Sequence, residues 1–247
     1  MIKNSEYLYI DPGIDTDTLL DIIVDSKYNE EFCVSRSFSP DFIANLMYSG
    51  FLVMSASVKI NINTEDEREL FLLMPKHHLT RNVLFFQDLH ISKTLKRLIK
   101  RDSSHYVLCV NSGYDQIVKN CIAHHGRDWL TKPLIKSMSQ IRKNNMSPVR
   151  LYSFGLYRDG VLCAGEFGVT VGRVYTSYSG YHDEDSTGTM QMILTAEYLE
   201  KNNFAFWDLG MPLDYKYTLG AHDISIEEFT RIFREGRRKK FVLNGDC

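Results

Sequence analysis

The densest chemistry in the sequence lies in one stretch, Leu89-His90-Ile91-Ser92-Lys93-Thr94-Leu95-Lys96-Arg97-Leu98-Ile99-Lys100-Arg101. Ser92 is suited to open a helix, because its hydroxyl can accept from one of the first free backbone N–H groups. Leu95, Leu98 and Ile99 then fall at i, i+3 and i+4, which makes one apolar stripe. Lys93, Lys96, Arg97, Lys100 and Arg101 fill the rest of the helix with no acid among them. Like charges repel at this spacing, and a helix exposed only for solubility usually mixes both signs. Five unopposed cations therefore imply a docked polyanion, of which phosphate backbone is the commonest, or a solvated basic face with nothing bound. The stretch alone does not separate the two.

Other constellations offer less. His77-His78 and His124-His125 are adjacent pairs whose side chains diverge on a strand or helix, which disfavours a shared metal. His182 with Asp183-Glu184-Asp185 fits a cation site or a solvated loop. The five cysteines, Cys33, Cys109, Cys121, Cys163 and Cys247, are scattered and contain no CxxC pair. That argues for reduced thiols in a cytoplasmic protein, and against a disulfide frame or a structural zinc. Net charge is only −2, so the basic helix is a local asymmetry. A second basic run, Arg231 to Lys240, closes the chain, while acid collects in Asp15–Asp25, Glu65–Glu69 and Asp183–Asp185. The longest apolar runs are too short to cross a bilayer, and the first residues lack the apolar core of a secretion signal; no membrane association is expected.

The elements that must position these groups follow from periodicity and punctuation. Residues 1–74 read as a small mixed unit, with a short helix over Thr18–Lys27 and a firmer one after Ser39-Pro40, where Ser39 is the N-cap and Pro40 sits at N1. Gly50 stops that helix, Phe51–Ile62 is extended, Thr64–Glu69 is a charged turn, and Leu70–Met74 is a strand ending at Pro75. After the basic helix come a strand over His105–Val110 and a helix over Tyr114–Ala123, which His124-His125-Gly126 ends. A helix follows from about Pro133 to Lys143. Leu151–Val169 is a hairpin turned by Arg158-Asp159-Gly160, and Val169–Ser177 returns as a further strand around Gly172. A helix over Thr187–Lys201, a buried strand over Phe204–Leu209 and a last helix over Ser225–Arg234 complete it. Antiparallel strands followed by helix, strand and helix give an α+β fold, a mixed sheet with helices on its faces.

The order of these motifs resembles the leucyl/phenylalanyl-tRNA–protein transferases. The resemblance rests on Ser39-Pro40, Gly50-Phe51, Leu89-His90-Ile91-Ser92 with its basic helix, Trp129-Leu130-Thr131, Gly165 with Gly168-Val169, the stretch Asp208–Asp214, and Leu219-Gly220-Ala221. It implies a small N-terminal domain over 1–74 and a GNAT-like (acetyltransferase-like) domain over 75–247. It implies transfer of an amino acid from aminoacyl-tRNA, as co-substrate and with no other cofactor, to the N-terminus of a protein beginning with Arg or Lys. Lys93, Lys96, Arg97, Lys100 and Arg101 would then contact tRNA phosphates. Trp129 would stack on or wall in the terminal adenosine, or serve as a core or hinge aromatic. The expected form is a cytoplasmic monomer.

The departures from the family pattern are specific. Where the family has a catalytic Gln two residues after its Asp, this chain has Asp208-Leu209-Gly210; where it has Gly-Glu-Ser, this chain has Ser177-Tyr178-Ser179. Leu52-Val53-Met54 replaces its Phe-Pro-Trp segment. In the implied amino-acid pocket, formed by Glu166, Tyr175 and Gly180, Glu166 and Gly180 stand where large apolar side chains are expected. Attack of an amine on an aminoacyl ester still needs only a deprotonated amine, a held geometry and oxyanion donors. Tyr178 is the candidate donor and Asp208 the candidate for orienting the ammonium, and each is equally open to a structural role. Glu166 shares a strand face with Leu162, Ala164 and Gly168. A carboxylate lining a pocket there would favour a basic or polar side chain, whereas one facing solvent or paired internally would favour nothing.

Three functions follow. The first is an aminoacyl-tRNA-dependent transferase with altered catalytic and specificity residues, and the second a tRNA- or aminoacyl-tRNA-binding protein that has lost transfer. The third, a CoA acyltransferase, is disfavoured because the acids of Asp183–Asp185 occupy the place where a pyrophosphate loop would need free N–H groups and a cation.

Overall fold

The structure is a computed structural model and describes residues 7–61, 67–102, 104–144, 148–239 and 247. The chain forms two compact units, residues 1–79 with 127–149, and residues 80–126 with 150–247. In chain order the first unit supplies β1 (Leu8–Tyr9), α1 (Thr16–Asp25), β2 (Cys33–Val34), α2 (Pro40–Tyr48), β3 (Leu52–Asn61) and β4 (Glu67–Lys76). The second begins with β5 (Thr80–Leu84), a 3-10 turn at Phe86–Asp88, α3 (Lys93–Asp102), β6 (Tyr106–Val110) and α4 (Tyr114–His125). The chain returns to the first unit for α5 (Lys132–Asn144). It ends in the second with β7 (Val149–Arg158), β8 (Val161–Val171), β9 (Val174–His182), α6 (Thr187–Lys201), β10 (Phe206–Gly210), α7 (Asp214–Thr218), β11 (His222–Ser225) and α8 (Ile226–Arg237).

In the first unit Asp15 starts α1, its carboxylate accepting from Thr18 N at 2.7 Å, so the helix begins two residues before Thr18. Ser39 does not cap α2 through its side chain. The helix start rests instead on Pro40, whose fixed φ suits N1 and whose missing N–H costs nothing there. β3 and β4 pair antiparallel from Leu52↔Lys76 to Asn61↔Glu67. Pro75 stays inside that pairing opposite Val53, so β4 runs one residue beyond the stop expected at Pro75. Of the expected turn at Thr64–Glu69, residues 64–66 lie outside the described residues, and Arg68 and Glu69 belong to β4.

The second unit is a mixed α+β structure built on a seven-stranded sheet in the order β11-β5-β10-β9-β8-β7-β6. β5 is antiparallel to β10 and β11, β8 to β9, and β6 to β7. β9 and β10 run parallel, paired from Phe206↔Val174 to Asp208↔Thr176. Past that point β9 continues along β8 to His182 while β10 ends at Gly210, so the two strands part. Asp159 and Gly160 turn the β7–β8 hairpin at φ 49° and 82°, as a tight turn of the Asp-Gly type requires. On one face Leu84, Tyr152, Phe154, Tyr175, Trp207 and Leu209 pack with Ala196 and Leu199 of α6. On the other, Gly165 lets α4 settle, since a Cβ there would lie 3.1 Å from Ile117.

Cys109 and Cys247 form a disulfide, which corrects the expectation of five reduced thiols. Their 138-residue separation hides in sequence what the fold brings together. Cys33, Cys121 and Cys163 are buried free thiols. Among the described residues no helix is long and apolar enough to cross a membrane.

Candidate active site

α3 forms as its pattern dictates. Ser92 Oγ accepts from Leu95 N at 3.2 Å, and Leu98 and Ile99 pack on Leu156, Cys163, Ala164 and Met190. No residue of α3 is fully buried, and Lys93, Lys96, Arg97, Lys100 and Arg101 are all exposed. Arg101 forks onto Asp102 at 2.7 and 2.8 Å, an exposed pair that offsets one charge at the helix end. The segment entering α3 is clasped from far along the chain. His90 N donates to Leu219 O at 2.9 Å. A Cβ on Gly220 (φ +93°) would fall 1.9 Å from Asp88 O, so only glycine fits that contact.

Asp208 is wholly buried in the sheet, and both its oxygens are taken. Oδ1 accepts from Arg81 Nε at 2.8 Å and Gly210 N at 3.0 Å; Oδ2 accepts from Arg81 Nη2 and Thr176 Oγ1, each at 2.8 Å. The Arg81 guanidinium lies 4.3 Å over the Phe229 ring of α8. A carboxylate with four donors in place has no acceptor site left for an incoming ammonium. What it holds is the end of β10, and with it Gly210 at φ 75°.

Trp207 precedes Asp208 and points to the opposite face, as alternation requires. Its Nε1 donates to Ser177 Oγ at 2.8 Å, and Ser177 Oγ donates to Glu166 Oε2 at 2.8 Å. Glu166 is only 4% exposed, and its Oε1 has no hydrogen-bond partner among the described residues. Burial pushes its carboxyl up to about 7, against the opposing pull of Ser177, Gln191, Lys216 and Tyr175. The Tyr175 hydroxyl is buried with its hydrogen bond likewise uncompleted, and its phenol is raised well above the ordinary value by burial and then by Glu166. Gly180 stands opposite Glu166 in the β8–β9 pair. A Cβ at Gly180 would come within 3.3 Å of Glu166 Cβ, so the glycine keeps space beside the carboxyl.

Of the residues of the expected pocket, Glu166 thus has Gly180 beside it across the β8–β9 pair and Tyr175, Ser177 and Gln191 around its carboxyl. Asp208 lies on the other face of the sheet. Tyr178 is half-buried and stacks on Phe167 at 6.2 Å between centroids. Trp129 belongs to the first unit, where its carbonyl accepts from both the backbone N and the Oγ of Ser55 at 2.9 Å. Sequence reasoning missed Arg81 and Lys216. Nothing in the sequence marks either, since each looks like an ordinary surface cation until the fold buries it. Lys216 is 6% exposed and donates from Nζ to Leu209 O at 2.6 Å and Met211 O at 2.8 Å.

Comparison with known proteins bears on the second unit above all. Residues 83–234 match the family model described as leucyl/phenylalanyl-tRNA protein transferase. The leucyl/phenylalanyl-tRNA–protein transferase of Pseudomonas entomophila is 26% identical over 152 residues, covering 60% of this chain and 65% of that protein. Its counterpart in Flavobacterium johnsoniae is 25% identical over 158 residues, covering 62% and 72%. The matched part thus spans about two thirds of the length of these curated relatives. Among solved structures, a conserved protein of Bacteroides thetaiotaomicron superposes with a TM-score of 0.36 at 12% identity, covering 89% of this chain and 71% of that one. A likeness that loose carries no argument.

Proposed function

That this chain belongs to the leucyl/phenylalanyl-tRNA protein transferase family is the premise from which we propose its activity. It moves an amino acid from a charged tRNA to the amino terminus of a protein or peptide. The observation that carries this reading is α3, whose five cations stand exposed on the same compact unit as the parting ends of β9 and β10. Phosphates on that face would be held by Lys93, Lys96, Arg97, Lys100 and Arg101. The parallel pair that separates midway, flanked by α4 and α6, supports a GNAT-like acyl-transfer domain, with the acyl group entering where the strands part.

In the reaction the acceptor's neutral amine attacks the ester carbonyl, a C–N bond forms, the C–O bond to the ribose breaks, and the ribose oxygen takes a proton. An α-amine of ordinary pKa is already partly neutral near pH 7–8, so positioning supplies much of the rate. Tyr178 is the donor for the developing oxyanion, while Asp208, saturated by Arg81, Thr176 and Gly210, acts by fixing the strand end. Glu166, Tyr175 and Gly180 line the amino-acid pocket. An open, buried carboxylate oxygen selects a basic or polar side chain, because an apolar one would leave Oε1 desolvated without a partner.

The loss of the family's Gln and Glu at Gly210 and Tyr178 favours a second reading, a protein that binds aminoacyl-tRNA without transferring. Labelled amino acids on tRNA, offered with peptides of varied first residue, separate the two. Transfer supports the first reading, and tight binding without transfer the second. Preference for Leu or Phe over basic and polar amino acids would remove Glu166 from the pocket.

A further inference from the structure

We propose that Lys216 is the proton-transfer group of this site. Its Nζ, held by the carbonyls on either side of Gly210, takes the proton of the acceptor's ammonium and later gives it to the departing ribose oxygen. The proposal rests on the transfer reading above and adds a residue that the family pattern did not suggest.

The geometry comes first. Gly210 has no side chain at the position where the family pattern would place a polar one. The space at this strand end is instead reached from α7, by a lysine whose Nζ donates to Leu209 O and Met211 O at 2.6 and 2.8 Å. No third bond from Nζ to a described residue accompanies these two. The neutral amine has two N–H groups, and both are satisfied, so losing the third proton costs no hydrogen bond within the protein. The third direction is then a lone pair in the neutral form and a donor in the charged form, as a proton carrier requires.

The surroundings poise the charge. Desolvation lowers the Lys216 pKa from the ordinary 10.5 to about 8; Asp208 on β10 and Glu166 on β8 pull it back up, and Arg81 on β5 pushes it further down. Asp208 and Glu166 lie on opposite faces of the sheet, so a charge that feels both sits at its end. Tyr215, whose ring centroid is 5.7 Å from Nζ, completes the ring of titratable neighbours. A base near 8 is matched to an α-ammonium of about 7.7–8.0, which makes the transfer close to thermoneutral. The turn around Lys216 is also dressed for a ligand. Met211, Leu213, Tyr215 and Tyr217 are large apolar or aromatic side chains left exposed beside a buried cation.

In balance, the acceptor ammonium gives H⁺ to neutral Lys216 and its amine adds to the ester carbonyl. The tetrahedral centre collapses with loss of the ribose oxygen, which leaves with the proton from Lys216. The added nitrogen gives up its remaining extra proton to solvent, and Lys216, neutral again after serving the ribose oxygen, is ready for the next acceptor. No oxidant, metal or second co-substrate enters.

The test uses the full chain and the variants K216R and K216M. Arginine keeps a cation and donors for the two carbonyls but cannot release a proton, so loss of turnover with charged-tRNA binding unchanged separates chemistry from bracing. Turnover should fall on the order of 100-fold or more in both variants. In the wild type the rising limb of turnover against pH should stay near 8 when acceptor peptides of different amine basicity are compared. Independently of activity, a ¹³Cε-lysine NMR titration, assigned by the signal missing in K216R, should show one lysine titrating near 8. Full activity in K216R or K216M, or a Lys216 that titrates near 10.5, overturns the role of the lysine alone. A wild type that transfers from no charged tRNA overturns the transfer reading and the lysine's role with it.

Discussion

Replacing Asp208 by Asn tests whether this carboxylate serves the fold or the substrate. In the structure it meets Arg81 through two bonds of 2.8 Å, with Thr176 and Gly210 as further donors, and is itself unexposed. Asn removes the negative charge and turns an NH₂ toward Arg81 or Thr176, donor against donor. Breaking a buried ion pair from one side costs about 3–5 kcal/mol, because a charge is left in the interior without compensation. For a chain of this size each kcal/mol moves Tm by about 2–4 °C, so Asp208→Asn should melt about 6–20 °C below the wild type. The paired change Arg81→Met with Asp208→Leu removes both charges and should recover most of that loss, since well-packed apolar groups often match a buried pair. Thermal melts of the wild type, both single variants and the double variant give the coupling directly. A loss below about 1 kcal/mol for Asp208→Asn, together with abolished transfer, would refute the reasoning and return Asp208 to direct contact with substrate.

Three further outcomes are expected. Because burial holds the Glu166 pKa at about 7, above the unfolded carboxyl value, the folded state binds the proton more tightly. Stability attributable to Glu166 is therefore full below pH 4–5 and lost as pH rises through 7. Glu166→Gln should gain on the wild type by on the order of 3 kcal/mol across that window, and parallel stability–pH curves would exclude it. Replacing Lys96 and Arg97 by Ala should flatten the salt dependence of tRNA binding by about 0.7–0.9 in log–log slope for each phosphate no longer neutralised; an unchanged slope would take both residues off the interface. Gly220→Ala, whose Cβ would meet Asp88 O at 1.9 Å, should lower Tm by several degrees, and an unchanged melt would mean that the clasp yields freely.

Local chemistry made much of the fold legible. Asp159-Gly160 turned the hairpin where positive φ was expected, Ser92 capped its helix, and α6 spans Thr187–Lys201 as its periodicity implied. β5, α7 and β11 were not legible, being short and held by distant partners rather than by their own pattern. α5 joins the first unit through long-range packing that no local signal encodes. Around the site, the exposure of the α3 cations followed from their spacing. The saturation of Asp208 did not, because its partner Arg81 lies 127 residues away. Lys216 was invisible for the same reason: burial of a lysine is a property of the folded environment, and its sequence neighbours are those of a surface helix.

The clasp between Leu219-Gly220 and Asp88-His90 has a practical corollary for anyone wishing to borrow this protein's basic helix. The two pieces behave as the halves of a buckle, so a transplant that carried only the helix would leave its leading end unanchored in the new host. A graft that brings both halves, in the same spatial relation, keeps that leading end anchored.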